Sequence, residues 1–400
     1  LALIGDLTGP SIRVGELDGI LHVKRGDSVT LTLNHKGSVV NKEVPLPVRQ
    51  VFEKLEVNDV IVMDDGRVKF KVVKVENGKA RLVALTDATI KSRKTLIVFN
   101  KEFDLPPLTE KDLKDLKFVI NNDFDYVGLS YIRRASDVLL LRNYFEEKGV
   151  DIGIISKIET RSAISNLEEI VRVSDVVLIA RGDLGMCFGL EEIPHLQRRI
   201  IKASLKNGKP VIVATQLLES MVESPVPTRA EVVDVTNAVL EGVDALMLTG
   251  ETSVGKYPVD AIKWLRRIVE TAESRTSIVN VERKFRDLKS RFAKGVVELA
   301  EDLEAKLAIF SMRGYTAKLA SILRPKVKFF VGSPSLRVLR KLSILWGVET
   351  VQVRAKTYDE GLDKLLDELK RKNTIGMGDI VVLTYGLREN KQFVRIERID

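Results

Sequence analysis

The sequence predicts an α/β protein: an incomplete (β/α)8 barrel, interrupted by an all-β insertion and followed by a second α/β unit. Three observations predict it. From about residue 108 to residue 275, short apolar runs alternate with longer helical stretches, as buried parallel strands do in βα units. Those runs end in polar or charged residues, the pattern of strands whose C-terminal ends carry a site. Between the first such run and the second lies a stretch of about residues 17–100 that reads as all-β and carries two hairpin signals.

The elements follow in order. Residues 1–5 form the first apolar strand, which ends in Asp6. In the insertion, Asp65-Gly66 separates strands at 60–63 and 68–75, and Asn77-Gly78 separates the second from one at 80–85. Both dipeptides are short-hairpin turns. Pro106 and Pro107 close this region. Further barrel strands fall at 126–129, 153–156, 176–180, 211–214 and 245–248, with helices between them such as 135–148 and 194–207. Six such strands are two short of a closed barrel; at roughly 30 residues per βα pair, closure needs about 60 more residues ahead of Leu1. An open six-stranded sheet is the alternative. A third unit has strands at 307–310, 327–331, 350–353 and 380–383, with helices at 316–323, 335–345 and 357–371, and reads as an open α/β sandwich. The expected limits are 1–16 and 104–280 for the barrel, 17–103 for the insertion and 281–400 for the C-terminal domain.

Composition narrows the function. Hydrophobic residues make up 44%, and no apolar run approaches the roughly 20 residues that span a bilayer. No secretory leader is visible, and the single cysteine, Cys187, excludes an internal disulfide and a cysteine-rich zinc site. A cytoplasmic protein without a membrane partner is expected. His22, His35 and His195 are scattered, which argues against a histidine metal centre. The net charge of +8 is spread among interleaved acids with no basic arm, so an anionic small substrate is favoured over nucleic acid.

The strand ends carry the chemistry. Residues 153–156 deliver Lys157-Ile158-Glu159, 176–180 deliver Arg181-Gly182-Asp183, and 211–214 deliver Thr215-Gln216. A lysine can neutralise a phosphate, and two carboxylates can hold Mg²⁺. Phosphoryl transfer needs those parts and little else. Each residue also has a plainer reading. Lys157 and Glu159 could be a surface pair, Asp183 an N-cap and Thr215 a turn residue. Arg181 reads as a brace for its loop, Arg229 and Glu231 as structural ion-pair partners, and Cys187 as a buried small residue. Gly250–Lys256 matches the first seven positions of a P-loop, but Tyr257 and Pro258 stand where a hydroxyl and a backbone amide are needed.

Taken together, several motifs resemble pyruvate kinases of archaeal or bacterial type. They are Gly5-Asp6-Leu7-Thr8-Gly9-Pro10-Ser11-Ile12-Arg13, Ser156-Lys157-Ile158-Glu159, residues 180–185, residues 214–221, Pro227-Thr228-Arg229-Ala230-Glu231 and residues 249–258. The resemblance implies a TIM-type barrel, a small β-barrel lid as the insertion and a C-terminal α/β sandwich. It implies transfer of the phosphoryl group of phosphoenolpyruvate to ADP, giving pyruvate and ATP, with Mg²⁺ or Mn²⁺, in a homotetramer. Lys157 would sit on the phosphoryl group, and Glu159 and Asp183 on the divalent ion. The amides of Gly182 and Asp183, with Thr215, would hold the substrate carboxylate, and Thr215 would belong to the route that protonates the enolate. Arg13 would touch the nucleotide phosphates.

The chain departs from that family's pattern in three places. Two βα units that carry a phosphate-binding Arg and cation-binding Asn and Ser are not in it. Ser11 stands where potassium-dependent members have Glu, leaving Asp6 and the Leu7 carbonyl as K⁺ ligands, so a strict K⁺ requirement is not expected. The loop Ser311-Met312-Arg313-Gly314-Tyr315-Thr316 lacks the Ser/Thr-rich form that binds a sugar bisphosphate; it could hold a phosphate or be an ordinary turn. A barrel lyase or aldolase acting on phosphoenolpyruvate or pyruvate is the alternative function, and a non-catalytic regulator a third.

Overall fold

The structure, a computed structural model, describes residues 1–275, 287–388 and 391–400. Six strands build the central sheet: β1 (Ile4–Asp6), β2 (Tyr126–Leu129), β3 (Gly153–Ile158), β4 (Val176–Ala180), β5 (Val211–Ala214) and β6 (Ala245–Met247). They lie side by side in chain order and all pair in parallel. Helices such as Ala135–Glu147, Ile193–Lys206 and Arg229–Leu240 connect them, as parallel crossovers require.

The continuous apolar runs have a direct cause. Alternate residues of the four central strands enter two different cores. Val127, Ile154, Val177, Ile179 and Val213 pack with the helices, while Tyr126, Ile155, Val176, Leu178 and Ile212 form a separate cluster on the other face. A strand buried on both faces has no polar face to show. Gly153 belongs to this packing, since a Cβ there would meet the Tyr126 ring at 2.4 Å.

The insertion folds around its own core, which includes Leu31, Ile61, Phe70, Val72 and Leu82. Its main sheet runs in the order Leu96–Val98, Val60–Met63, Val68–Glu76, Lys79–Ala84, Ser28–Thr32 and Glu43–Pro45. The Asp65-Gly66 and Asn77-Gly78 turns join antiparallel neighbours, as expected. The all-β expectation needs one correction. Arg49–Lys54 is a short helix that buries Val51 and Phe52 in this core.

The C-terminal unit is a five-stranded sheet of β7 (Lys306–Phe310), β8 (Phe329–Ser333), β9 (Val348–Gln352), β10 (Ile380–Arg388) and β11 (Lys391–Arg398). The order is β9-β8-β7-β10-β11, parallel except for the β10–β11 pair. Sequence reasoning had no β11. It is the edge strand of the sheet, with Val394 and Ile396 exposed on one face and Arg395 and Glu397 half-buried on the other, paired at 3.0 Å. The expected domain limit at 280/281 lies outside the described residues. The unit is pinned to the barrel by a buried pair, Arg324 with Asp244 at 2.7 Å, and by Arg340 on Asp123 and Asp125 at 2.7 and 3.0 Å.

Candidate active site

The C-terminal ends of β1 to β5 bring the expected residues together. β3 runs two residues beyond its expected end, so Lys157 lies inside the strand and Glu159 directly after it. The Lys157 ammonium donates to Ser130 Oγ at 2.8 Å, sits 3.3 Å from the Asp6 carboxylate and 3.9 Å from Glu159. Burial works to lower its pKa, but Glu159, Asp6 and Asp183 outweigh it and the net shift is upward. Lys157 therefore stays charged. Glu159 is 1% exposed. One of its oxygens accepts the Tyr131 amide at 2.5 Å, and the other has no hydrogen-bond partner. Burial pushes its carboxyl up to about 8, with Asp183 adding to the shift and Lys157 opposing it.

Asp183 is the third residue of the helix Arg181–Phe188, which begins directly after β4, and it accepts the Tyr131 phenol at 3.1 Å. The Gly182 amide donates to Thr215 Oγ1 at 2.9 Å. Thr215 and Gln216 both have left-handed backbones, with φ of 70° and 52°. Each such residue costs about 1–3 kcal/mol and persists only where its surroundings hold it. Arg181 holds both. Its guanidinium donates to the Thr215 carbonyl at 2.9 and 3.1 Å, to the Gln216 carbonyl at 2.7 Å and to Asp234 at 2.6 Å. The brace read from the sequence is this fork.

Asp6, Leu7, Arg13, Lys157, Glu159 and Asp183 line one cleft of about 380 Å³, roofed by Asp64 and Lys94 of the insertion, which pair at 2.5 Å. Gly182 and Thr215 meet each other beside Asp183 but outside the cleft lining. Arg13 donates to Ser11 Oγ at 2.9 Å and to the Arg93 carbonyl at 3.1 Å. The Leu7 carbonyl accepts from Ser130 Oγ at 2.8 Å. Among the described residues, no three His, Cys, Asp or Glu side chains gather as a metal centre. The two carboxylates nonetheless suit a hard divalent ion that takes its other oxygens from substrate and water. Glu159's second oxygen, buried without a hydrogen bond, is the atom such an ion would satisfy.

Among the cleft residues that escaped the sequence reading are Ser130, Tyr131, Asp64 and Lys94. Ser130 and Tyr131 follow β2 and obey the same strand-end rule as the others. Asp64 and Lys94 lie in an insertion whose docking no local pattern reveals. Glu231 is not tied to Arg229. Its carboxylate forms a capping box with Thr228 and takes the amide and hydroxyl of Ser220 at 2.7 and 2.5 Å. The P-loop look-alike contains a four-residue helix, Gly250–Ser253, with Glu251 buried on the Leu218 and Thr249 amides, and Lys256 pairs with Glu223. Cys187 is half-buried, and burial pushes its thiol up to about 12. A thiol held that high is protonated at neutral pH, which fits the reading of Cys187 as a packing residue.

A lysine between two carboxylates, set at the strand ends of a parallel barrel sheet beneath a β insertion, defines a phosphotransferase of the barrel-and-lid type. The models of the pyruvate kinase barrel domain and the pyruvate kinase alpha/beta domain match residues 1–262 and 290–396. The chain is 42% identical to the pyruvate kinase of Pyrobaculum aerophilum, covering 99% of this chain and 84% of that one. It is 38% identical to the pyruvate kinase of Aeropyrum pernix, over 99% and 85%. The crystal structure of the Pyrobaculum enzyme superposes with a TM-score of 0.87 at 41% identity, covering 99% of this chain and 86% of that one. The chain belongs to the pyruvate kinase family. It is a phosphotransferase that passes the phosphoryl group of phosphoenolpyruvate to ADP, giving pyruvate and ATP, and its family uses a divalent metal. The comparisons decide for the incomplete barrel over the open sheet and set the lyase and regulator readings aside. They also place the C-terminal unit in the family, although none of the motifs quoted for the resemblance lies in it.

Proposed function

We propose that the cleft carries out this reaction with Lys157 on the transferring phosphoryl group and with Glu159 and Asp183 on a magnesium or manganese ion. The observation that carries the reading is the meeting of these three side chains in one cleft beneath the insertion. The ion, when bound, would neutralise charge on the phosphate and carboxylate of phosphoenolpyruvate. The charged Lys157 offsets the negative charge spread over the equatorial phosphoryl oxygens. Gly182 and Asp183 open a helix, and free N–H groups there suit the substrate carboxylate. Thr215 must release the Gly182 amide for this, and its hydroxyl then turns to the same carboxylate, beside the carbon where the enolate takes its proton. Arg13 reaches the nucleotide phosphates from the insertion side, and closure of the insertion excludes water.

Potassium is not strictly required on this reading. Asp6 is occupied by Lys157, the Leu7 carbonyl by Ser130, and Ser11 brings no charge. The working form is a cytoplasmic homotetramer, the assembly the family resemblance implies. Among the described residues, no helix is long and apolar enough to cross a membrane.

The test is Lys157→Met. Phosphoryl transfer is expected to fall by about 10²–10³, the size of a lost electrostatic contact to the transition state. Deuterium exchange into the pyruvate methyl group should persist, since it needs the carboxylate site and not the phosphoryl contact. A loss of only a few-fold in transfer would overturn the assignment.

A further inference from the structure

Tyr131 follows β2 and touches both carboxylates assigned to the metal. Its amide donates to Glu159 Oε1 at 2.5 Å, and its phenol donates to Asp183 Oδ1 at 3.1 Å. It does so from a left-handed backbone, φ 54°, a conformation that is an outlier for a bulky aromatic residue. That backbone lets one residue point its N–H at β3 and its side chain at the helix after β4. The ring also lines a second, mostly apolar pocket between barrel and insertion, beside Ile12, Leu96 and Val98.

We propose that Tyr131 is a positioning residue for the divalent metal, holding Glu159 by its amide and Asp183 by its phenol so that both carboxylates are set before the ion arrives. The proposal rests on the reading that Glu159 and Asp183 hold that ion. The terminal torsion of an aspartate is broad and roughly two-fold. A donor on one oxygen narrows it, and ordering completed beforehand is not charged against binding. A phenol is protonated at neutral pH and supplies that donor. Phenylalanine would fill the same pocket and keep the amide contact, so Tyr131→Phe removes the phenol alone.

The experiment measures Mn²⁺ binding to the protein without substrate, from the electron-spin signal of the free ion. Tyr131→Phe is expected to weaken Mn²⁺ binding about tenfold, at the lower end of the range for partners that orient a metal ligand. The Mn²⁺ concentration for half-maximal activity should rise by the same factor, with kcat at saturating Mn²⁺ changed less than about twofold. Its melting midpoint in EDTA should match that of the parent. Glu159→Gln and Asp183→Asn are run beside it. If those two bind Mn²⁺ like the parent, the underlying metal assignment falls. If they lose Mn²⁺ while Tyr131→Phe binds it as the parent does, the role of Tyr131 alone is overturned. A Tyr131→Phe protein that melts well below the parent in EDTA also overturns it, since the phenol would then hold the fold and not the ion.

Discussion

At the scale of single residues, Glu159 is the group whose chemistry depends most on what fills the cleft. Its folded pKa of about 8 stands above its ordinary value of 4.5, chiefly through burial. Between those two pH values the folded, metal-free protein holds a proton that the unfolded chain releases. This group's contribution is therefore fully present below about pH 4.5 and is lost as pH rises towards 8. Glutamine imitates the protonated form at every pH. In EDTA, Glu159→Gln should match the parent near pH 4 and become the more stable of the two as pH approaches 8. Urea midpoints across that range check it, and a difference that shrinks with pH would contradict the sign. On the proposed assignment of Glu159 to the divalent ion, the ion needs the carboxylate, so its affinity for the parent should rise with pH over the same interval. Ser11 is the other residue with a decisive test. Restoring a charge with Ser11→Glu should increase stimulation by K⁺ over tetramethylammonium at equal ionic strength. A parent enzyme nearly inactive without K⁺ would refute the present account of that pocket.

Among the elements, the turn after β5 shows most plainly what a sequence withholds. The apolar run 211–214 and the polar Thr215-Gln216 are visible in the chain, and the strand ends where expected. The two consecutive left-handed residues are not visible, because neither is the Gly, Asn or Asp that announces that conformation. Nor is it visible that Arg181, thirty-four residues earlier, holds their carbonyls. The four central barrel strands were legible because burial on both faces keeps them largely apolar, and the two outer strands because they are short apolar runs of the same kind. Lys157, Glu159, Asp183 and Thr215 were legible because they sit where those strands stop. Tyr131 was overlooked beside the equally visible strand β2, since an aromatic residue after an apolar run reads as more core. β11 was missed because Phe393, Val394 and Ile396 are interleaved with Gln392, Arg395, Glu397 and Arg398, so the strand contains no continuous apolar run. Arg181→Ala should therefore do two kinds of damage. It leaves the Thr215 and Gln216 carbonyls and Asp234 without their partner, at a cost of about 2–4 kcal/mol in stability. It also frees Thr215 to drift, and kcat should fall at least about tenfold from that misplacement. Denaturant unfolding and steady-state rates check both, and a variant of parental stability and rate would show that the strained turn holds itself.

The whole molecule poses a question of motion. The insertion carries its own core and joins the barrel by two short connections. On one of them Gly15 lies so close to the His35 carbonyl that a Cβ would stand 2.5 Å from it. The other is clasped. Arg133, from the end of β2, donates to the Phe103 and Leu105 carbonyls at 2.9 and 2.5 Å and to Asp104 at 2.8 Å. Just before it, Glu102 accepts the Ser162 amide at 3.0 Å. Residues that fix a hinge set where a lid comes to rest, and a lid that rests badly leaves the reacting groups misaligned and wet. Asp64 and Lys94 reach the cleft from this insertion, so its closure also decides where they stand. Adding Mg²⁺, phosphoenolpyruvate and nucleotide should draw the insertion inwards and reduce the radius of gyration in small-angle scattering. Arg133→Ala should keep Lys157, Glu159 and Asp183 in place, yet lose about tenfold in kcat through imprecise closure. Its scattering without ligands should be more expanded than the parent's, since the clasp no longer limits the hinge. If the parent's scattering does not change on adding substrates, the insertion is a fixed roof and not a lid. A loss of rate in Arg133→Ala would then have to come from the barrel side of the clasp, where the Arg133 guanidinium lies 3.9 Å from the Asp137 carboxylate.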